Sequence, residues 1–218
     1  MDATLIEAVQ RGNVQEIQGL LKGGISIRER DREGNSPLMI ASAAGRLSIV
    51  KLLLDAGAEI EARNTAGMNA LLLATAMRHQ EVVQCLIQRG ANVNATDEEG
   101  HSPLMIAART GVAPTVELLL KSGAHANAAN RWGTTALMQA SRSWTTSAVK
   151  ALLDAGADPA ASDVLGKRAL SYAKEKGTPP PFLVRLLKGE SSSSKIERPS
   201  LGRGGPGRDK PWWRFWEK

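Results

Sequence analysis

A lone cysteine, Cys85, leaves this 218-residue chain without an internal disulfide, in keeping with a reducing compartment. Long apolar runs are missing too. No stretch reaches the roughly 18 uninterrupted hydrophobic residues that a membrane-crossing helix needs. The start, Met1-Asp2-Ala3-Thr4-Leu5-Ile6-Glu7, carries an acid where a secretory signal carries basic residues, and no cleavable apolar run follows. The expected location is therefore cytoplasmic, where the acceptor-like triplet Asn94-Ala95-Thr96 has no meaning. Histidine is scarce: His79, His101 and His125 lie 22 and 24 residues apart, which is not metal-ligand spacing. His79 and His101 read as surface positions, and Cys85, in an apolar segment, as core. No Ser-His-Asp grouping, paired-carboxylate pattern or phosphate loop is present, so neither an enzyme nor a cofactor is expected. Charge of one sign is in short supply as well. The net +6 divides into +3 over residues 1–189 (21 basic less 18 acidic) and +3 over 190–218 (7 less 4). A body so nearly balanced offers nucleic acid little hold.

What the chain does have is glycine on a ruler. Gly34, Gly67, Gly100, Gly133 and Gly166 are each 33 residues apart, and Gly57, Gly90, Gly123, Gly156 and Gly189 keep the same step. A strict period of this length is the mark of stacked structural units, each presenting the same turn and helix ending to its neighbour. Asp or Asn three residues before the first glycine set reads as a tight turn. Ser36-Pro37 and Ser102-Pro103 read as a helix start, with a capping hydroxyl and a proline where a missing N–H costs nothing. Thr135 and Asn69 take the capping place in the units between. A short first helix carries Leu38/Ala41 and their 33-step equivalents. A stickier second helix, such as Ile49-Val50-Lys51-Leu52-Leu53-Leu54, closes at the second glycine set. Burying one Leu or Ile is worth about 1.5–3 kcal/mol. One helix pair alone therefore cannot outweigh its chain entropy, whereas stacked copies can.

Gly-x-(Ser/Thr)-Pro-Leu-x-x-Ala followed by Ile-Val-x-Leu-Leu-Leu-x-x-Gly-Ala resembles the ankyrin repeat, over roughly residues 2–189. The resemblance implies an all-α solenoid of helix–turn–helix units joined by β-hairpin-like loops, forming domain 1–189. Its units would be a partial one at 2–30, repeats at 31–63, 64–96, 97–129 and 130–162, and a cap at 163–189. It also implies a protein partner, no small-molecule substrate, and a non-enzymatic scaffold or adaptor that binds through a concave face of loop tips and inner helices. The sequence departs from the family pattern where His normally follows Leu: Met39, Leu72, Met105, Met138 and Ser171 stand there, which predicts a more purely apolar stacking. The usual inter-helix glycine is kept at Gly45 and Gly111 but replaced by Arg78 and Trp144.

Carried over by position, the expected partner-binding residues are Arg32, Glu33, Met68, Met77, Glu98, Glu99, Arg131, Trp132, Arg142 and Trp144. Trp132, Arg131, Arg142 and Trp144 are expected to lie near one another at the centre, because exposed Trp and Arg dominate interface energetics. A second reading stays open, in which both tryptophans fold back over a neighbouring unit.

After Gly189 the composition changes to a serine run and a Gly/Pro stretch, a segment with almost nothing to bury and expected to be a disordered tail over 190–218. It ends in Trp212, Trp213, Arg214, Phe215 and Trp216. That cluster leaves four readings: fold-back onto the stack, docking on another protein, weak membrane contact that would make the chain a peripheral adaptor, and stacking on single-stranded nucleic acid.

Overall fold

A computed structural model describes residues 4–190; the C-terminal tail and its Trp212–Trp216 cluster lie outside the described residues. Among the described residues, twelve short helices follow in pairs. They are α1 Leu5–Arg11, α2 Val14–Lys22, α3 Pro37–Ala43, α4 Leu47–Asp55, α5 Ala70–Ala76, α6 Gln80–Gln88, α7 Pro103–Thr110, α8 Ala113–Lys121, α9 Ala136–Ser143, α10 Thr146–Asp154, α11 Ala169–Glu175 and α12 Pro181–Lys188. Among the described residues no strand forms, only the isolated antiparallel bridges Ala129–Thr135 and Ser162–Arg168 at two of the loops. No helix there is long and apolar enough to cross a membrane.

Helices of two turns are too short to hold themselves, so their stability comes from caps and packing. The expected caps form: the side chains of Ser36, Asn69, Ser102 and Thr135 accept from the backbone N–H three residues on. Ala41, Ala74, Ala107, Ala140 and Ala173 are fully buried on the odd-numbered helices and let those helices approach closely. Neighbouring odd-numbered helices pack more closely than neighbouring even-numbered ones, so the odd set forms the tighter, inner row. The apolar interior consists of two buried clusters, one from α1 through α6 and one from α7 through α12, with half-buried Ile87 packed against both.

Two expectations need correction. Stacking is not purely apolar. Within units, the Met39 and Met138 sulfurs accept the N–H of Ser36 and Thr135 at 3.4 and 3.5 Å, closing a reciprocal cap, and Ser171 Oγ accepts the Arg168 N–H at 3.4 Å. Hydrogen bonds also tie unit to unit. Asn94 Nδ2 donates to the Gly123 carbonyl and Asn127 Nδ2 to that of Gly156, while the same side-chain oxygens accept from His125 and Asp158 N–H. His79 and His101 are not plain surface groups either. His79 Nε2 lies 3.0 Å from the Ala43 carbonyl of the preceding unit, against Gly45, where a Cβ would clash with the imidazole. Cys85 is buried as expected.

Candidate partner-binding surface

Each loop tip is built around one Asx side chain. Asp31, Asn64, Asp97, Asn130 and Asp163 each accept, through Oδ1, the N–H groups two and four residues on, at 2.7–3.1 Å. Short polar side chains close such turns by mimicking a backbone acceptor. The tips then bond to one another at the 33-residue step. Thr65 N–H donates to the Glu33 carbonyl, Glu98 to Ala66, Arg131 to Glu99 and Val164 to Trp132, at 3.0–3.3 Å. This contact demands glycine twice over at Gly133. Its φ is +76°, and a Cβ there would stand 3.0 Å from the Asp163 Cα of the next tip.

The tip ladder therefore forms a preformed edge, and it brings Glu99, Arg131 and Trp132 together. Arg131 Nη2 donates to Glu99 Oε1 at 2.9 Å, and its guanidinium lies 4.4 Å from the Trp132 ring centroid. The His101 ring sits 5.6 Å from the same indole, anchored by Asp97 at 3.1 Å. Trp132 stays 39% exposed within this frame. Beyond it the last tip presents Val164 and Leu165, 68% and 75% exposed, where the 33-residue step places tip positions. Arg32, Glu33 and Glu98 are exposed on earlier tips and Met68 is half-buried. At the final tip burial works against the charge on Asp163. Hydrogen bonds from Lys167 N–H, the Tyr172 hydroxyl and Leu165 N–H outweigh it and hold the carboxyl below the ordinary carboxylate range. Burial, chiefly, pushes the Tyr172 hydroxyl up.

The expected gathering of Trp132 with Arg142 and Trp144 does not occur. Trp132 precedes α9, whereas Arg142 lies in its last turn and Trp144 caps its C-terminal end, so tip and inter-helix loop are opposite ends of an element about 12 Å long. Trp144 takes the covering role: its indole N–H donates to the Ala173 carbonyl at 2.7 Å, its ring packs against the second cluster, and Lys176 Nζ lies 5.1 Å from its centroid. It does so from a left-handed backbone, φ +59°, matched by Arg78 at +63°.

Between the tips and that loop lies the floor of the inner face, lined at fixed registers by the odd helices. One register reads Ile40, Leu73, Ile106, Gln139, Tyr172, and another Ala43, Ala76, Arg109, Arg142, Glu175. The floor is thus apolar and small over α3 and α5, with Met77 54% exposed beside it, and cationic over α7 and α9. A groove of about 510 Å³ lies here, lined by Arg109, Gln139, Arg142, Ser143, Glu175 and Lys176. Gln139 is 8% exposed, and its Oε1 has no hydrogen-bond partner. Arg142 reaches Glu175 at 3.5 Å, a carboxylate already held by Lys167 at 2.7 Å. Sequence reasoning found Met77 and Arg142 but missed Arg109 and Gln139. The signal was the 33-step register of the inner helices, where polar side chains replace Ile, Leu and Ala.

No group of His, Cys, Asp and Glu suited to a metal ion occurs among the described residues. A family model described as ankyrin repeats (3 copies) matches the chain over residues 5–97, 71–163 and 104–195. A search of curated proteins returns no match.

Proposed function

Because this chain belongs to the ankyrin-repeat family, whose repeats are generic protein-interaction modules, we propose that it is a non-enzymatic scaffold or adaptor. It grips a protein partner with the tip edge and the inner-helix floor. The observation that carries this is the tip ladder: five identical Asx turns joined by four inter-tip backbone bonds fix the edge before any partner arrives. A preformed edge loses little conformational entropy on binding. Trp132, propped between Arg131 and His101 on that edge, and Met77 beside the floor are the exposed anchors. The membrane-adaptor alternative finds no support among the described residues.

Affinity capture with the full-length chain and mass-spectrometric identification tests the reading. Proteins retained by the native chain should be lost to both Trp132→Ala and Met77→Glu, with the fold intact by circular dichroism. Undiminished capture by both variants overturns it.

A further inference from the structure

We propose that the groove over α7, α9 and α11 receives an acidic segment of the partner, with Arg109 and Arg142 pairing its carboxylates and Gln139 Oε1 accepting one of its N–H groups. This rests on the scaffold reading above and adds the chemistry of the ligand. Three observations converge.

The first is charge. Arg109, Arg142 and Lys176 face the groove against a single carboxylate, Glu175, which is shared with Lys167. Arg109 makes no ion pair among the described residues, and Arg142 makes only the long contact to Glu175. Guanidinium groups held on a rigid helix row suit bidentate carboxylate recognition.

The second is Gln139. Its register holds Ile40, Leu73 and Ile106 in the preceding units, so packing alone would be served by an aliphatic side chain. A carboxamide oxygen is buried there without a donor, a state that folded proteins avoid. Gln139 lines the groove, and turning its amide toward the opening would bring that oxygen within reach of a ligand N–H.

The third concerns which anion fits. A phosphate seated in the groove brings no N–H to the acceptor oxygen on its floor. A peptide instead brings its own backbone N–H donors beside its acidic side chains. The chain's own residues 191–218 are the wrong occupant: seven Lys/Arg less three Asp/Glu leave them at +4.

The test uses full-length protein and fluorescence anisotropy at low ionic strength, where such pairing is least screened. The probe is a fluorescein-labelled dodecapeptide of alternating glutamate and serine, with a lysine–serine peptide and an oligothymidylate of equal length beside it. The acidic peptide should bind and the other two should not. Arg109→Glu and Arg142→Glu should each weaken it about tenfold, and Lys51→Glu on α4, outside the groove, should leave it unchanged. Gln139→Leu gives a readout that a merely structural role would not move: melting temperature should rise while peptide binding falls several-fold. Equal binding of the lysine peptide, tighter binding of the oligonucleotide, an equal loss with Lys51→Glu, or unaltered binding by Gln139→Leu each overturns the proposal. Capture of a partner that survives Arg142→Glu but not Met77→Glu would remove the acidic ligand and leave the scaffold standing.

Discussion

Arg78 and Trp144 hold the same left-handed turn between paired helices, and opposite energetics follow from what their side chains touch. For a side-chain-bearing residue that backbone costs about 1–2 kcal/mol. Arg78 is exposed and its side chain makes no hydrogen bond among the described residues. Arg78→Gly should therefore stabilise the protein by up to about 1 kcal/mol, less what glycine adds to the entropy of the unfolded chain. Trp144→Gly relieves the same strain but removes the bond to the Ala173 carbonyl and a half-buried indole. A net loss of about 2 kcal/mol is expected, and urea unfolding of the two variants would show shifts of opposite sign. Asp163 adds a pH-dependent effect. Because its folded pKa is depressed, its contribution is present above the ordinary carboxylate range and lost as pH falls through the folded value. Asparagine fills the same turn at Asn64 and Asn130. Asp163→Asn should thus melt below the native chain at neutral pH, with the gap closing in acid.

At the level of turns and helices, the local rules were readable because each is imposed on a few adjacent residues and then repeated. Capping by Ser36, Asn69, Ser102 and Thr135, and closure at Gly57, Gly90, Gly123 and Gly156, needed no knowledge of neighbours. Contacts across units were harder to read. That Gly133 is crowded by Asp163 while Gly166 has open space follows only from which tip has a successor. Gly166→Ala should cost about 1 kcal/mol from its backbone alone, whereas Gly133→Ala should cost roughly 2 kcal/mol or more, since the next tip must shift too. Thermal melts of the pair would separate conformational strain from crowding; equal losses would deny the crowding. The same blindness explains the candidate site. Tip residues such as Glu99, Arg131 and Trp132 follow from the repeat, but Arg109 and Gln139 gain meaning only once the odd helices are known to share a face. The direction of Trp144, toward α11 and not toward Trp132, depends on a backbone angle that residue identity does not fix.

Across the whole molecule, a stack of units has stability distributed along one axis, with nearest-neighbour contacts joining the pieces. Here those contacts group into two buried clusters with Ile87 touching both. Ile87→Ala should therefore do more than lower stability by the 1–2 kcal/mol expected for a half-buried side chain. It should loosen the coupling between halves, so that calorimetry resolves two overlapping transitions where the native chain gives one. A single sharp transition in the variant would show the coupling to be carried elsewhere.

Trp144 is not among the residues that line the groove, yet Lys176, which does line it, rests over its ring, and its indole nitrogen fixes α11 through Ala173. The spacing between α9 and α11 is thus gauged by a residue outside the lining of the groove. In the proposed groove, a smaller side chain there would free Lys176 and alter the gap between α9 and α11 without touching Arg109 or Arg142, so the fit of an acidic segment would change through a position that surface comparison alone would overlook.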